Sequence, residues 1–170
     1  MKNIALKLFL IFVVLIAFGF ETINQFADFE TKNFSGNNVS TSSIEDKIIV
    51  LHTISSNSPS YKEDILIYKE LQDIYVKAFF DRYAKKGLVV ITLTDRIIDE
   101  KLIPNIQFTF SIKNKIIKEL IKKYNLLPDG SNLIISGKRE IVRSNVSTDK
   151  LKNEIGALLT RDRALINYYN

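Results

Sequence analysis

At 170 residues, with 46% apolar and 25% charged side chains, the chain is long enough for one domain with a hydrophobic core and too short for two. Six glycines and three prolines exclude a linker-rich or fibrous architecture, and the absence of cysteine excludes thiol–disulfide chemistry and a lipoprotein anchor. The formal charge of +5 falls to about +3 once Lys2 and Lys7 are set aside, with no concentrated basic stripe of the kind that binds nucleic acid.

Met1–Lys7 holds two lysines and no acid, and Leu8–Phe20 (LFLIFVVLIAFGF) follows as an uncharged apolar run of about 13 residues. That is the layout of a secretory signal. A spanning helix needs about 20 apolar residues. Counting from Ile4 lengthens the run but obliges Lys7 to snorkel to the membrane surface. Ala17 and Gly19 put small residues at the two positions a signal peptidase reads. Residues 1–20 are therefore expected to be a signal peptide cut after Gly19 or a retained signal anchor, the alternative being a buried N-terminal helix.

Residues 21–46 are polar, and their apolar positions keep no sustained period, so they are expected to be mainly a tether. Phe26, Phe29 and Phe34 are the exceptions, able to pack as a short helix or staple. Lys47–Ile54 (KIIVLHTI) is apolar on both faces, as a central strand must be. Ser55–Ser60 is a loop, with Glu63 and Asp64 in the first turn of a helix over 61–85. Ile65, Tyr68, Leu71, Ile74, Tyr75, Ala78, Phe79 and Tyr83 form its inner face, and Gly87 ends it. Leu88–Thr94 is a second buried strand. The stretch 95–109 is irregular, broken by Pro104, and Ser111 is expected to cap a helix running to Tyr124. Asn132–Ser136 and Glu140–Ser144 read as a hairpin through Gly137. A last helix starts at Thr148 or Asp149, with Leu151, Ile155, Leu158 and Leu159 inward, and residues 161–170 continue it or fray.

Strand, helix, strand, helix, strand, strand, helix predicts a small mixed sheet with helices on both faces, an α/β three-layer sandwich over 47–160. On Gly87-Leu88-Val89-Val90-Ile91, the Tyr124-Asn125-Leu126 step and Asn132–Ser136 before Gly137 and Ile141-Val142, the chain resembles the thioredoxin-like superfamily, most nearly its exported thiol–disulfide branch of the TlpA and ResA type. Active members carry Cys-x-x-Cys at the start of the first helix, where the helix N-terminus lowers a thiol pKa. The resemblance puts those positions at Asn57 and Ser60, with Pro59 matching the intervening proline, and the family's cis-proline near Gly130, with Pro128 the nearest proline. It therefore implies a redox-inert member whose binding rim is the loops Ser55–Tyr61 and Leu127–Ser131, with Asn57, Ser58, Pro59, Ser60, Pro128 and Gly130 as its site residues.

Other chemistry has little to work with. Ser58 or Ser60 would need a base, and the single histidine, His52, lies within a strand, where it reads as a core residue. Asp95, Asp99 and Glu100 could hold a hard cation, but they read as a solvated loop. No metal, cofactor or catalytic residue is expected. Lys113, Lys115, Lys118, Lys122 and Lys123 make one helix basic, a solvated face or one drawn to anionic lipid or an acidic partner. On the first helix Leu66, Val76 and Phe80 lie outside the main stripe, so a second flank calls for cover. The expected role is a protein-binding or assembly module of a bacterial cell envelope, periplasmic or inner-membrane-anchored and facing the periplasm. The alternatives are a non-thiol enzyme using Ser60, His52 or Asp95 with Asp99, and a structural subunit of a membrane complex. Nucleic acid is not an expected partner.

Overall fold

Two seven-residue runs with no exposed position organise the molecule. In the computed structural model, which describes residues 25–80, 88–96, 101, 106–127 and 130–168, the elements in chain order are β1 (Glu30–Lys32), β2 (Asn38–Ser40), β3 (Ile48–Ile54), α1 (Tyr61–Phe80), β4 (Leu88–Thr94), β5 (Thr109–Ser111), α2 (Lys115–Lys123), β6 (Ser131–Ile135), β7 (Ile141–Val146) and α3 (Thr148–Tyr168). The segment 1–20, Gly87, Asp99, Glu100, Pro104 and Pro128 lie outside the described residues. So do the side chains of 72–80 and 159–168, which include Ile74, Tyr75, Val76, Ala78, Phe79, Phe80 and Leu159.

β3 and β4 are parallel and in register from Ile48 opposite Leu88 to Ile54 opposite Thr94, and each is buried along its whole length. The five-stranded sheet runs β5-β4-β3-β6-β7, with β6 antiparallel to both β3 and β7. Alternation along the strands separates two cores. Ile49, Leu51, Ile91, Leu93 and Leu133 face α2 and the N-terminal segment, whereas Ile48, Val50, Val90 and Ile134 face α1 and α3. Ile65, Tyr68 and Leu71 of α1 and Leu151 and Ile155 of α3 are buried, as their spacing requires, and Leu158 packs at the margin.

Residues 25–46 are not a tether. β1 and β2 form a hairpin, and Phe26, Phe29 and Ile44 are buried in the main core. Phe26 stacks on Tyr124 and Phe29 meets Phe110 edge-on. Burying each such side chain stabilises by about 1.5–3 kcal/mol, enough to order a segment whose local pattern is weak. Polar links finish the attachment. Phe34 N–H donates to Thr109 O at 3.0 Å, and Asn114 Nδ2 donates to Thr31 Oγ1 at 2.7 Å. Arg139 pairs with Asp28 at 3.1 Å and donates to Thr41 O at 2.7 Å.

Two further details depart from the sequence pattern. Thr109–Ser111 is a strand, β5, parallel to β4, so Ser111 ends a strand and does not cap α2. The cap is Asn114, whose Oδ1 accepts from Ile116 N–H at 2.9 Å. At the far end Asn125 takes the left-handed conformation (φ 49°), which asparagine tolerates after a helix. The β6–β7 hairpin does turn through Gly137. A Cβ there would lie 3.0 Å from the Asp46 backbone, so the close approach of residue 46 favours glycine.

Candidate functional site

Three loops meet at the C-terminal ends of β3 and β4. Ser56 joins the first to the second, donating its N–H to Asp95 Oδ1 at 2.8 Å and its hydroxyl to Oδ2 at 2.9 Å. Arg96 Nε donates in turn to Ser56 Oγ at 2.9 Å. Burial pulls the Asp95 carboxyl upward, but the Ser56 and backbone donors outweigh it and hold the group below the usual carboxylate range. The third loop is tied to β3, because Thr53 Oγ1 donates to Leu127 O and Gly130 N–H donates to Thr53 O at 3.0 Å.

Each residue expected at the rim can now be placed, except Pro128. Asn57 and Pro59 are exposed, and Ser58 and Ser60 are half-buried. Ser60 precedes α1, and its carbonyl accepts from Asp64 N–H at 2.9 Å. Its hydroxyl donates to Asp64 Oδ2 at 2.7 Å, so Ser58 Oγ, 3.0 Å away, is the donor to Ser60. Gly130 has φ +69°, and its bond to Thr53 O is one that proline could not donate. The loop is thus built around an N–H at the position where the resemblance expects proline. Leu127, the first residue of the second rim loop, is 56% exposed beside it.

His52 is separate from this rim. It is fully buried at the middle of a polar row across the sheet, with Thr92 on β4 and Asn132 on β6 directly opposite it. Its Nε2 lies 2.9 Å from Thr92 Oγ1, and its ring stacks on Tyr68 of α1 at 3.7 Å between centroids. Tyr68 OH donates to Asn132 Oδ1 at 2.7 Å, and Asn132 Nδ2 donates to Val146 O at 2.8 Å. Among the described residues Nδ1 of His52 has no partner. An unpaired acceptor in the core costs less than an unpaired N–H, so the proton belongs on Nε2. Burial lowers the His52 pKa from 6.5 to about 3, which keeps the ring neutral at physiological pH.

The arrangement therefore does not join His52 to Ser60. The histidine's ring bond goes to Thr92, and the Ser60 hydroxyl goes to Asp64, so His52 and Ser60 form no nucleophile–base pair. Asp95 is engaged by Ser56 and Arg96, while the Asp99 and Glu100 expected beside it lie outside the described residues. Among the described residues no three His, Cys, Asp or Glu side chains gather as metal ligands. What the site offers is a hydrogen-bonded platform with Asn57, Pro59 and Leu127 outward. Leu66 of α1 is 51% exposed, as its place off the main stripe implies.

No family model and no curated protein matches the chain. Solved structures do. A thiol:disulfide interchange protein from Bacteroides sp. superposes with a TM-score of 0.58 at 14% identity, covering 78% of this chain and 86% of its own. A thiol-disulfide oxidoreductase from Bacteroides fragilis gives 0.57 at 15%, covering 79% and 98%. The exposed lipoprotein thioredoxin of Streptococcus pneumoniae gives 0.54 at 13%, covering 77% and 99%. Identities this low establish the fold alone. The fold is that of thioredoxin, in a chain with no cysteine.

Proposed function

We propose that this thioredoxin-fold chain is a redox-inactive module of a bacterial cell envelope that grips an extended segment of a protein partner at the rim formed by Ser55–Tyr61 and Leu127–Ser131. One observation carries the reading. The three loops of the rim are locked together by Ser56–Asp95, Thr53–Leu127 and Gly130–Thr53, while the two cysteine positions hold residues incapable of electron transfer. A rigid rim with an outward leucine, proline and asparagine suits binding without chemistry.

The strand register adds support. Thr53 pairs with Ser131 at the rim, and Ile49 pairs with Ile135 about 13 Å along the sheet. Gln25 bridges to Glu140, just beyond Ile135, so the chain enters the fold at the end away from the rim. With residues 1–20 in a membrane, that entry point turns the rim toward solvent and an incoming partner. Among the described residues no helix is long and apolar enough to cross a membrane, which leaves attachment to the N-terminal run. The pneumococcal neighbour is an exposed lipoprotein, and a surface location agrees with an envelope setting here.

The test is substitution of the outward groups, Asn57→Asp with Leu127→Asp, in cells carrying the full chain. The variant should lose co-purifying envelope protein while its unfolding free energy in urea stays within about 0.5 kcal/mol of wild type, as for surface changes. Unchanged co-purification and phenotype would sink the proposal.

A further inference from the structure

We propose that the lysine face of α2 docks on the anionic headgroups of the membrane that the N-terminal segment enters. This rests on the reading of residues 1–20 as membrane-inserted, and deepens it by assigning the domain a fixed orientation. Lys113, Lys115, Lys118, Lys122 and Lys123 are all exposed, against one acid, Glu119, in the same stretch. Among the described residues none of the five pairs with an acid. At about 100° per residue, Lys115, Lys118 and Lys122 share one stripe opposite the buried Ile117 and Leu120. Ile116, 40% exposed, lies on the flank between that stripe and the buried face, on the same side as Lys123 and Glu119, as an apolar group that packing within the domain leaves partly uncovered.

Geometry selects lipid over other acidic surfaces. Ala27 N–H donates to Tyr124 OH at 2.7 Å, and that hydroxyl lies 3.4 Å from Gln25 O. Tyr124 is the residue that ends α2, and Lys123 Nζ lies over its ring at 5.3 Å. The chain therefore joins the domain at the basic end of α2. From Phe20 to Gln25 the backbone spans at most about 17 Å. A bilayer holding the 8–20 run thus lies within about 17 Å of Gln25, which borders the end of α2 that carries Lys122 and Lys123. Anionic headgroups attract each lysine near the surface by about fivefold in partitioning, and the attraction decays over a Debye length of about 8 Å. The short connection tethers the face close enough for a rotation of the domain to bring it into that range, and the stretch 113–123 sets one acid, Glu119, against five lysines.

The test uses the full chain, in which Ile116→Cys supplies the only thiol and carries a nitroxide label. Ser144→Cys, exposed on the edge strand β7, is the control. Both are reconstituted in vesicles of phosphatidylcholine alone and with about 30% phosphatidylglycerol, and accessibility to a neutral nickel chelate is read. The label at position 116 should be protected about threefold or more in the anionic vesicles at about 0.1 M salt. That protection should vanish at about 0.5 M salt and in the Lys115→Glu, Lys118→Glu, Lys122→Glu variant, with position 144 unmoved. Equal accessibility in the two vesicles, or protection indifferent to salt, overturns the docking while leaving membrane insertion intact. A chain that floats with neither vesicle overturns both. Protection found only in native envelopes overturns lipid docking in favour of an acidic protein.

Discussion

The stacked, fully buried His52 gives the fold a defined pH dependence. Its pKa is about 3 in the folded chain against 6.5 ordinarily. Below pH 6.5 the unfolded chain takes a proton that the folded chain refuses. The contribution is therefore complete above pH 6.5 and is lost as pH falls toward 3, at about 1.4 kcal/mol per pH unit. Between pH 7 and pH 5 the loss is about 2 kcal/mol, a large share of an ordinary stability of about 5–15 kcal/mol. His52 is the single histidine and there is no cysteine, so no other side chain ordinarily titrates in that interval. Urea unfolding of wild type and His52→Gln at the two pH values isolates the effect, since carboxylates contribute equally to both. The variant is expected to start less stable at pH 7, having lost the stacking on Tyr68, and to lose about 2 kcal/mol less on acidification. Parallel losses in the two proteins, or an imidazole titrating near 6.5 by NMR, would refute the buried neutral ring.

The N-terminal hairpin and the turn at Gly137 give two further expectations. Phe29→Ala should cost about 3–5 kcal/mol in urea unfolding, because Phe29 is buried against Phe110 and Phe26; a loss under 1 kcal/mol would restore a loose tether. Gly137→Ala should cost about 1–3 kcal/mol, because its new methyl meets the Asp46 backbone at 3.0 Å and that backbone must shift by a few tenths of an ångström to admit it. A neutral result there would mean that residue 46 is free to retreat.

The parts of the fold that were legible in the sequence are those with a strong local pattern. β3 and β4 are seven-residue runs buried on both faces, and Ile65, Tyr68 and Leu71 mark α1 by spacing alone. The hairpin of residues 25–46 was not legible, because Phe26 and Phe29 are buried by Tyr124 and Phe110, about eighty to a hundred residues later in the chain. β5 is three residues long, and only its pairing with Thr92–Thr94 makes it a strand. Serine and asparagine are both good caps, so Ser111 and Asn114 differ only by where β5 ends. At the site, the resemblance located the Asn57–Ser60 segment and Gly130. The Ser56–Asp95–Arg96 lattice depends on loops far apart in the chain, and no spacing rule announces it.

Photo-crosslinking in the native envelope tests the central claim, that the rim grips a protein, most directly. The reactive residue replaces Asn57 and, separately, Leu127, with Ser144 on β7 as the control position. A discrete adduct of one mass from both rim sites, absent at Ser144, is the predicted result. Export of folded protein with no adduct at either rim site, or the same adduct from Ser144, would contradict it.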